Sequence, residues 1–306
     1  MGHFTITNQK LSVEVLRSWN GLTLDKLFRD HWKAPKKLVH EWRMSKEVKL
    51  NENTVPWTTT LSEGDMISIP LMNAENETVK AADLGITILY EDDLLLIANK
   101  PAGMDTHPSQ PGDTHTLING VAHHLKITGQ TCMIKHIHRL DKDTTGAVLF
   151  AKERLTGSML DRMLEERKIK RTYVALVEGI IQKNEGEIKE KIGRDRHHAT
   201  RRRVSPTGQV AVTHYQVLKR DSKKNLTLVS CTLESGRTHQ IRVHFSHLNH
   251  PLAGDTLYGG KNTFPRQALH ARKIEFIHPI SEEKMIIEAP FLDRSGIFET
   301  FNIHKS

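Results

Sequence analysis

Cysteine is nearly absent: two residues in 306, Cys132 and Cys231, roughly a hundred positions apart. That is neither a disulfide framework nor a zinc-ligand spacing, and it suits two thiols in a reducing compartment. Long apolar runs are missing as well. Nothing approaches the roughly 20 consecutive apolar residues that a bilayer-spanning helix needs, so no membrane span is expected. The first residues, MGHFTITNQK, lack the basic-then-apolar pattern of an export signal, and Ile6 stands where an N-myristoylation signal wants Ser or Thr. These features predict a cytoplasmic protein, with a monomer as the default state. No glycine-rich loop of phosphate-cradling type and no HExxH or Cys/His grouping occurs. The pairs His239/His244, His197/His198 and His136/His138 are chance products of 19 histidines rather than metal ligands. No cofactor and no metal are expected.

What is present is positive charge. Lys and Arg number 44 against 36 acidic residues, a net +8, and this excess points to an anionic partner, most simply nucleic acid. At this length two domains are expected. In the first part, Leu24, Leu27 and Phe28 fall on one face of a helix over Thr23–Trp32 with Thr23 as its cap, and a second short helix runs near Lys36–Met44. Short strands follow at Val48–Leu50 and Met66–Pro70, the second preceded by a turn at Glu63–Asp65. Residues 71–85 are polar and patternless and read as a linker. Beyond it, Ile86, Ile88 and Tyr90 alternate, and Leu94–Ala98 and Gly146–Ala151 read as buried strands. Leu155, Met159 and Met163 share a helical face, and Arg171–Val177 returns to strand. Strands interleaved with helices and hairpins define an α+β class rather than strict βαβ alternation.

Three stretches can carry chemistry. In the first, residues 136–146, Asp141 has His138, Arg139 and Lys142 as neighbours in sequence. Cations favour the charged carboxylate, so an ionised aspartate on a loop before a rigid strand suits a nucleophile or base. The bland alternative is a solvated turn with Asp141 and Asp143 as caps. A two-carboxylate metal site lacks further ligands at suitable spacing. In the second, residues 234–248, Thr238 is expected to cap a helix on which Ile241, Phe245 and Leu248 line one face. Arg242 then lies beside a buried face, where it needs a carboxylate. Asp141 is the candidate, and a structural pair with another acid is the alternative. The third is Lys189–Arg203, with Arg194, Arg196, Arg201, Arg202 and Arg203. It is a loop or hairpin suited to phosphate contacts, or a solvated basic face.

HRLDKDTTGAVLFAK (residues 138–152) closely resembles the HRLDxxTSG signature of the RluA-type pseudouridine synthases. ILYEDDLLLIANKPAGM, KRTYVALVEG, ESGRTHQIRVHFSHLNHPLAGDTLYGG and LHARKIEFIHP are similar to further motifs of that family, in its order, across about residues 86–290. The resemblance implies a mixed, largely antiparallel central sheet with flanking helices and an active-site cleft. It implies isomerisation of uridine in structured RNA, most simply large-subunit ribosomal RNA, with transfer RNA the next class. Asp141 would be the essential aspartate, Tyr173 would stack on the target base, and Arg242 would pair with Asp141. Arg139 would enter the RNA helix where the base leaves, and the 189–203 stretch would grip the RNA. Sequence leaves open whether Asp141 attacks C1′, attacks C6, or abstracts a proton to give a glycal.

The first seventy residues resemble an S4 RNA-binding module in degenerate form. Lys46, Glu47 and Glu52 stand where such modules carry glycine, and Thr23 stands where they carry arginine. With 11 basic and 10 acidic residues in 1–80, this part is nearly neutral. The expected organisation is therefore an S4-like module (1–70), a linker (71–85) and a catalytic domain (86–306). Two competitors carry distinct expectations. A catalytically silent RNA-binding or ribosome-assembly protein would tolerate loss of Asp141 or Tyr173, and a metal-dependent hydrolase would be inhibited by chelators.

Overall fold

The computed structural model describes residues 4–71, 79–292 and 296–298. The first part opens with a hairpin, β1 (Phe4–Thr7) and β2 (Lys10–Glu14), which no turn signal in the sequence marks. Its turn residues Asn8 and Gln9 both take positive φ, 49° and 59°, as a two-residue hairpin turn requires. Neither is a glycine.

The expected first helix is present but irregular. After α1 (Leu24–Lys26), whose Thr23 hydroxyl accepts the Lys26 N–H, the chain widens into a π-turn over Leu27–His31. Leu24, Leu27 and Phe28 are all fully buried, as their spacing implies. Then come α2 (Lys36–Ser45), β3 (Lys49–Leu50) and β4 (Met66–Pro70), and the strands form one sheet in the order β1-β2-β4-β3. Phe28 meets the rings of Trp32, Trp42 and Trp57 at 5.1–5.5 Å. Lys46, Asn51 and Glu52 adopt left-handed backbone at φ 56°, 48° and 66°. At Lys46 and Glu52 this is a backbone that glycine adopts without steric cost.

This part does not hang from the rest. Its apolar core continues into Leu94, Leu155, Met159 and Ile280. Around that seam the Glu282 carboxylate accepts from Ser18 Oγ (2.7 Å) and Trp19 Nε1 (2.8 Å), and Arg154 pairs with Glu41 at 3.1 Å. Of the expected linker, residues 72–78 lie outside the described residues. Val79, Leu84 and the adjoining Ile86 pack against the main core, and the Ala82 N–H reaches the Asn119 carbonyl.

The second part is built on one ten-stranded sheet. In chain order its elements are β5 (Thr87–Glu91), β6 (Leu95–Lys100), α3 (Leu117–Ile127), β7 (Lys135–His136), β8 (Thr145–Ala151), α4 (Arg154–Glu165) and β9 (Lys170–Glu178). They continue with β10 (Glu185–Lys189), β11 (Ile192–Arg194), β12 (Arg202–Val204), β13 (Val212–Asp221), β14 (Leu226–Leu233), α5 (Gln240–His247), β15 (Leu269–Ile277) and β16 (Lys284–Glu288). The sheet runs β10-β13-β14-β9-β15-β8-β6-β5, with β16 on β15 and β7 on β8, while β11 and β12 form a separate hairpin. Every pair is antiparallel except β15 with β8. The mixed, largely antiparallel α+β class is therefore the one observed.

Alternation along buried strands separates two cores. Leu96, Ala98, Val148 and Phe150 face α3 and α5, while Leu95, Ile97, Leu149 and Ala151 share the other face with Leu160 of α4. At the parallel crossing, a Cβ on Gly146 would lie 2.3 Å from the Ala271 carbonyl oxygen, and Gly146 has φ 114°. Only glycine fits there, at the second position of β8, the strand that follows the Asp141 loop. Among the described residues no helix is long and apolar enough to cross a membrane.

Candidate active site

The loop between β7 and β8 carries Asp141, and its backbone is clamped from several sides. The Thr106 hydroxyl accepts the Leu140 N–H at 3.1 Å and donates to the Leu140 carbonyl at 3.2 Å. Fully buried Lys100 donates to the carbonyls of Pro101 (3.0 Å), Met104 (2.6 Å) and Lys142 (2.7 Å). Burial pushes the Lys100 ammonium down to about 7, against the opposing charges of Asp105, Asp143 and Asp141. Arg266 adds bonds to the carbonyls of Asp143, Gln267 and Leu269. A loop held at so many carbonyls presents its side chains in fixed directions.

Arg242, on α5, reaches this loop from the other side of the cleft. Its Nη1 donates to Asp141 Oδ2 at 3.1 Å, while Nε and Nη2 make a bidentate pair with Asp255 at 2.7 and 2.9 Å. The two alternatives for Arg242 are therefore both realised. The structural partner is Asp255, 1% exposed, and the second partner is Asp141, 24% exposed. Burial opposes the Arg242 charge, but the hydrogen bonds and charges of Asp255 and then Asp141 outweigh it and raise its pKa. Asp255 lies in GDTLYGG, the tail of the stretch ESGRTHQIRVHFSHLNHPLAGDTLYGG. Its role was not legible because the two residues stand thirteen positions apart in the sequence, with a turn between them.

The expected cap of α5 is corrected. His239, in left-handed backbone at φ 58°, precedes the helix, and Thr238 instead accepts a hydrogen bond from Arg139 Nη2 at 3.2 Å. Ile241 and Phe245 are buried as expected, but Leu248 lies beyond the last turn and is 38% exposed. Tyr173, on β9, is buried on the face that packs toward α5, and burial first, then the Asp141 charge, raises its phenol pKa against the lowering by Arg171.

Asp141, Tyr173, Arg139 and Arg242 line one cleft of about 570 Å³. Its wall includes Leu140, Leu164, Leu233 and Leu269, and its remaining cations are Arg167, Arg171 and Arg237. A second depression of about 600 Å³, lined by Thr106, His107, Thr200 and Gln267 among others, shares Arg139, Leu140, Asp141, His239 and Arg242 with the first. Arg139 is exposed and lines both. The basic stretch is the hairpin β11–β12, with Arg194 opposite Arg202. None of Arg194, Arg196, Arg201, Arg202 and Arg203 lines either cleft that holds Asp141. Arg194, Arg196 and Arg203 are exposed, whereas Arg201 lies over the Tyr258 ring at 5.5 Å and lines a smaller depression with Arg202 and Arg203.

None of the histidine pairs is assembled into a ligand set among the described residues. The group that does converge is Glu187, His214 and Glu234, a half-exposed ion-pair cluster on β10, β13 and the end of β14. His107 and His136 stack at 4.6 Å. Cys231 is buried and Cys132 half-buried, and burial raises both thiol pKa values.

A carboxylate gripped by a buried guanidinium, beside a buried phenol in an arginine-rimmed cleft, is equipped for nucleophilic or acid–base chemistry on an anionic polymer. Comparison with known proteins narrows this. Residues 94–247 match the RNA pseudouridylate synthase family, and residues 11–67 match the RluD ribosomal pseudouridine synthase N-terminal domain. A Bacillus subtilis protein named uncharacterized RNA pseudouridine synthase YhcT is 46% identical over 96% of this chain and 99% of its own. Ribosomal large subunit pseudouridine synthase D of Haemophilus influenzae is 36% identical over 92% of each chain. The solved structure of human RNA pseudouridylate synthase domain containing 1 shares the fold, with TM-score 0.58 at 24% identity over 69% of this chain and 85% of that one. The chain belongs to the RluA-type RNA pseudouridine synthases, enzymes that isomerise uridine in RNA.

Proposed function

We propose that Asp141 is the group that acts on a uridine flipped into the 570 Å³ cleft, and that the RNA is large-subunit ribosomal RNA. The observation that carries the first part is the two-ended grip of Arg242, which fixes Asp141 Oδ2 at 3.1 Å while anchored to buried Asp255. Support for the second part comes from relatives, several of which are named ribosomal large subunit pseudouridine synthase D. Transfer RNA is the alternative substrate class.

Isomerisation breaks the bond between C1′ and N1, turns the base and rejoins it through C5. The base must leave its stack first, at a cost of a few kcal/mol that protein contacts offset. Arg139, exposed and lining both depressions, takes the place the base vacates. Tyr173 stacks on the flipped uracil, and Arg242 orients the Asp141 carboxylate, which is regenerated at each turnover. The exposed arginines of the β11–β12 hairpin (Arg194, Arg196 and Arg203), with Arg201 and Arg202 behind them, bind backbone phosphates around the target. This chemistry needs no cofactor and no metal. The working organisation is an S4-like module over 1–70, a linker over 71–85 and a catalytic domain over 86–306, acting as a monomer in the cytoplasm. The seam around Leu155 and Ile280 carries the first module with the catalytic one.

The test is pseudouridine mapping of total RNA, by carbodiimide treatment and primer extension, in cells lacking the protein and complemented with wild type. Stops in large-subunit RNA that vanish and return support the reading. Stops confined to transfer RNA would move the substrate to that class, and an unchanged map would oppose the reading.

A further inference from the structure

Tyr258, outside the set of residues singled out from sequence, connects the basic hairpin to the Asp141 loop. It closes the single helical turn Thr256–Tyr258 and is 3% exposed. Its phenol oxygen accepts the Arg202 backbone N–H at 2.8 Å and lies 2.8 Å from His239 Nδ1. The same ring faces the guanidinium of Arg242 at 5.0 Å and that of Arg201 at 5.5 Å. On the far side of the imidazole, His239 Nε2 is 3.8 Å from Asp141 Oδ2.

Burial raises the Tyr258 pKa, so the phenol keeps its proton. Its oxygen already accepts from Arg202, and the proton points to the acceptor it faces, His239 Nδ1. Burial also lowers the His239 pKa, against the pull of Asp141, so the ring is neutral. A neutral imidazole that accepts at Nδ1 carries its one proton on Nε2, the nitrogen turned to Asp141. The opposite tautomer would aim a lone pair at a carboxylate. At 3.8 Å the Nε2–H is short of a hydrogen bond, and a movement of about an ångström completes it.

We propose that Tyr258 and His239 are positioning residues for Asp141. Tyr258 sets the imidazole tautomer, and His239 presents its Nε2–H to Oδ2, the same carboxylate oxygen that Arg242 bonds. The Arg202 N–H ties this arrangement to the hairpin, so that seating the hairpin on RNA backbone steadies the carboxylate. The inference rests on Asp141 being the acting group. It differs from a structural role because the phenol hydroxyl and one imidazole N–H, not the bulk of either ring, are what matter.

The experiment is single-turnover and steady-state tritium release from RNA labelled with 5-³H-uridine, alongside thermal melts. Y258F keeps the ring and its guanidinium contacts and loses only the hydroxyl. It should lower kcat by about 10- to 100-fold with KM nearly unchanged. H239L should lose a similar factor. H239Q, whose amide restores a donor toward Asp141, should recover most of the rate, and Y258F/H239L should be no slower than H239L. The proposal is overturned if folded Y258F turns over like wild type, or is altered in KM alone. It also fails if folded H239Q is as slow as H239L, or if the double variant is multiplicatively slower. Asp141→Asn in the same assay separates the two levels. A fully active Asp141→Asn removes the group being positioned, whereas an inactive one beside an unaffected Y258F removes only the positioning.

Discussion

Arg242→Ala is the perturbation whose cost the geometry defines most sharply. The guanidinium is 8% exposed and makes a bidentate pair with an Asp255 carboxylate that is 1% exposed. Truncation strands that carboxylate in the interior, which costs about 3–5 kcal/mol. A domain's whole stability is about 5–15 kcal/mol. At about 2–4 °C per kcal/mol for a chain of this size class, the melting temperature should fall by roughly 6–20 °C. The assay is urea and thermal unfolding of Arg242→Ala, Arg242→Ala/Asp255→Asn and Arg242→Ala/Asp141→Asn. Neutralising Asp255 in the second variant removes the stranded charge and should restore about 1–3 kcal/mol. Neutralising Asp141 should restore little, because that carboxylate is 24% exposed and water can take the place of its partner. All three should lack turnover. An Arg242→Ala protein within about 1 kcal/mol of wild type, or rescue by Asp141→Asn rather than Asp255→Asn, would refute the assignment of structural and functional partners.

The hairpin arginines should separate by exposure. Replacing exposed Arg194, Arg196 and Arg203 by alanine should leave stability unchanged and flatten the salt dependence of RNA binding. The log–log slope, read by filter binding, should shrink by about 0.7–0.9 for each phosphate no longer neutralised. Arg201→Ala should also perturb Tyr258, over which it lies, and so reduce turnover as well as binding. His136 and His138 sit neutral in the fold: burial, reinforced at His136 by stacked His107 and by Arg139, lowers His136 to about 4 and His138 well below the ordinary imidazole value of 6.5. The unfolded chain then binds more protons between about pH 6.5 and 4, so stability is full above that window and falls as the pH drops through it. Urea midpoints across that range should show the loss, and His136→Gln should flatten it. Gly146→Ala places a methyl against the Ala271 carbonyl in a backbone region that alanine avoids, and should unfold the protein or displace the Asp141 loop. Near-native melting with full turnover would show that the β8–β15 crossing has slack to absorb a methyl.

Much of this architecture was readable where hydrophobic period and element length agree. Leu155, Met159 and Met163 marked α4, and Lys36–Met44 matched α2 almost to the residue. The β1–β2 hairpin escaped because its turn, Asn8–Gln9, reaches positive φ without the glycine that normally signals it. The Thr23–Trp32 helix had the right buried face but the wrong pitch. Its widening lets the Trp32 N–H reach the Leu27 carbonyl, a detail set by tertiary packing around Phe28 rather than by local propensity. At the site, Asp141 and Arg242 were legible through charge and burial, and the hydrogen bond between them is present. Asp255, Lys100 and Tyr258 were not, although each lies in a family motif. Their work is to hold backbone carbonyls or a second side chain, and only three-dimensional proximity reveals such partners. Thr238 failed as a cap because His239 takes the left-handed backbone that turns the chain into α5.

The central claim is that the Asp141 carboxylate, and not merely a basic RNA-binding surface, does the chemistry. Purified wild type and Asp141→Asn, incubated with 5-³H-uridine-labelled large-subunit RNA, test it directly through tritium release, with RNA binding measured in parallel. The account predicts release by wild type and a loss of at least about a thousandfold in Asp141→Asn, with RNA affinity retained. Comparable release by both proteins would contradict it.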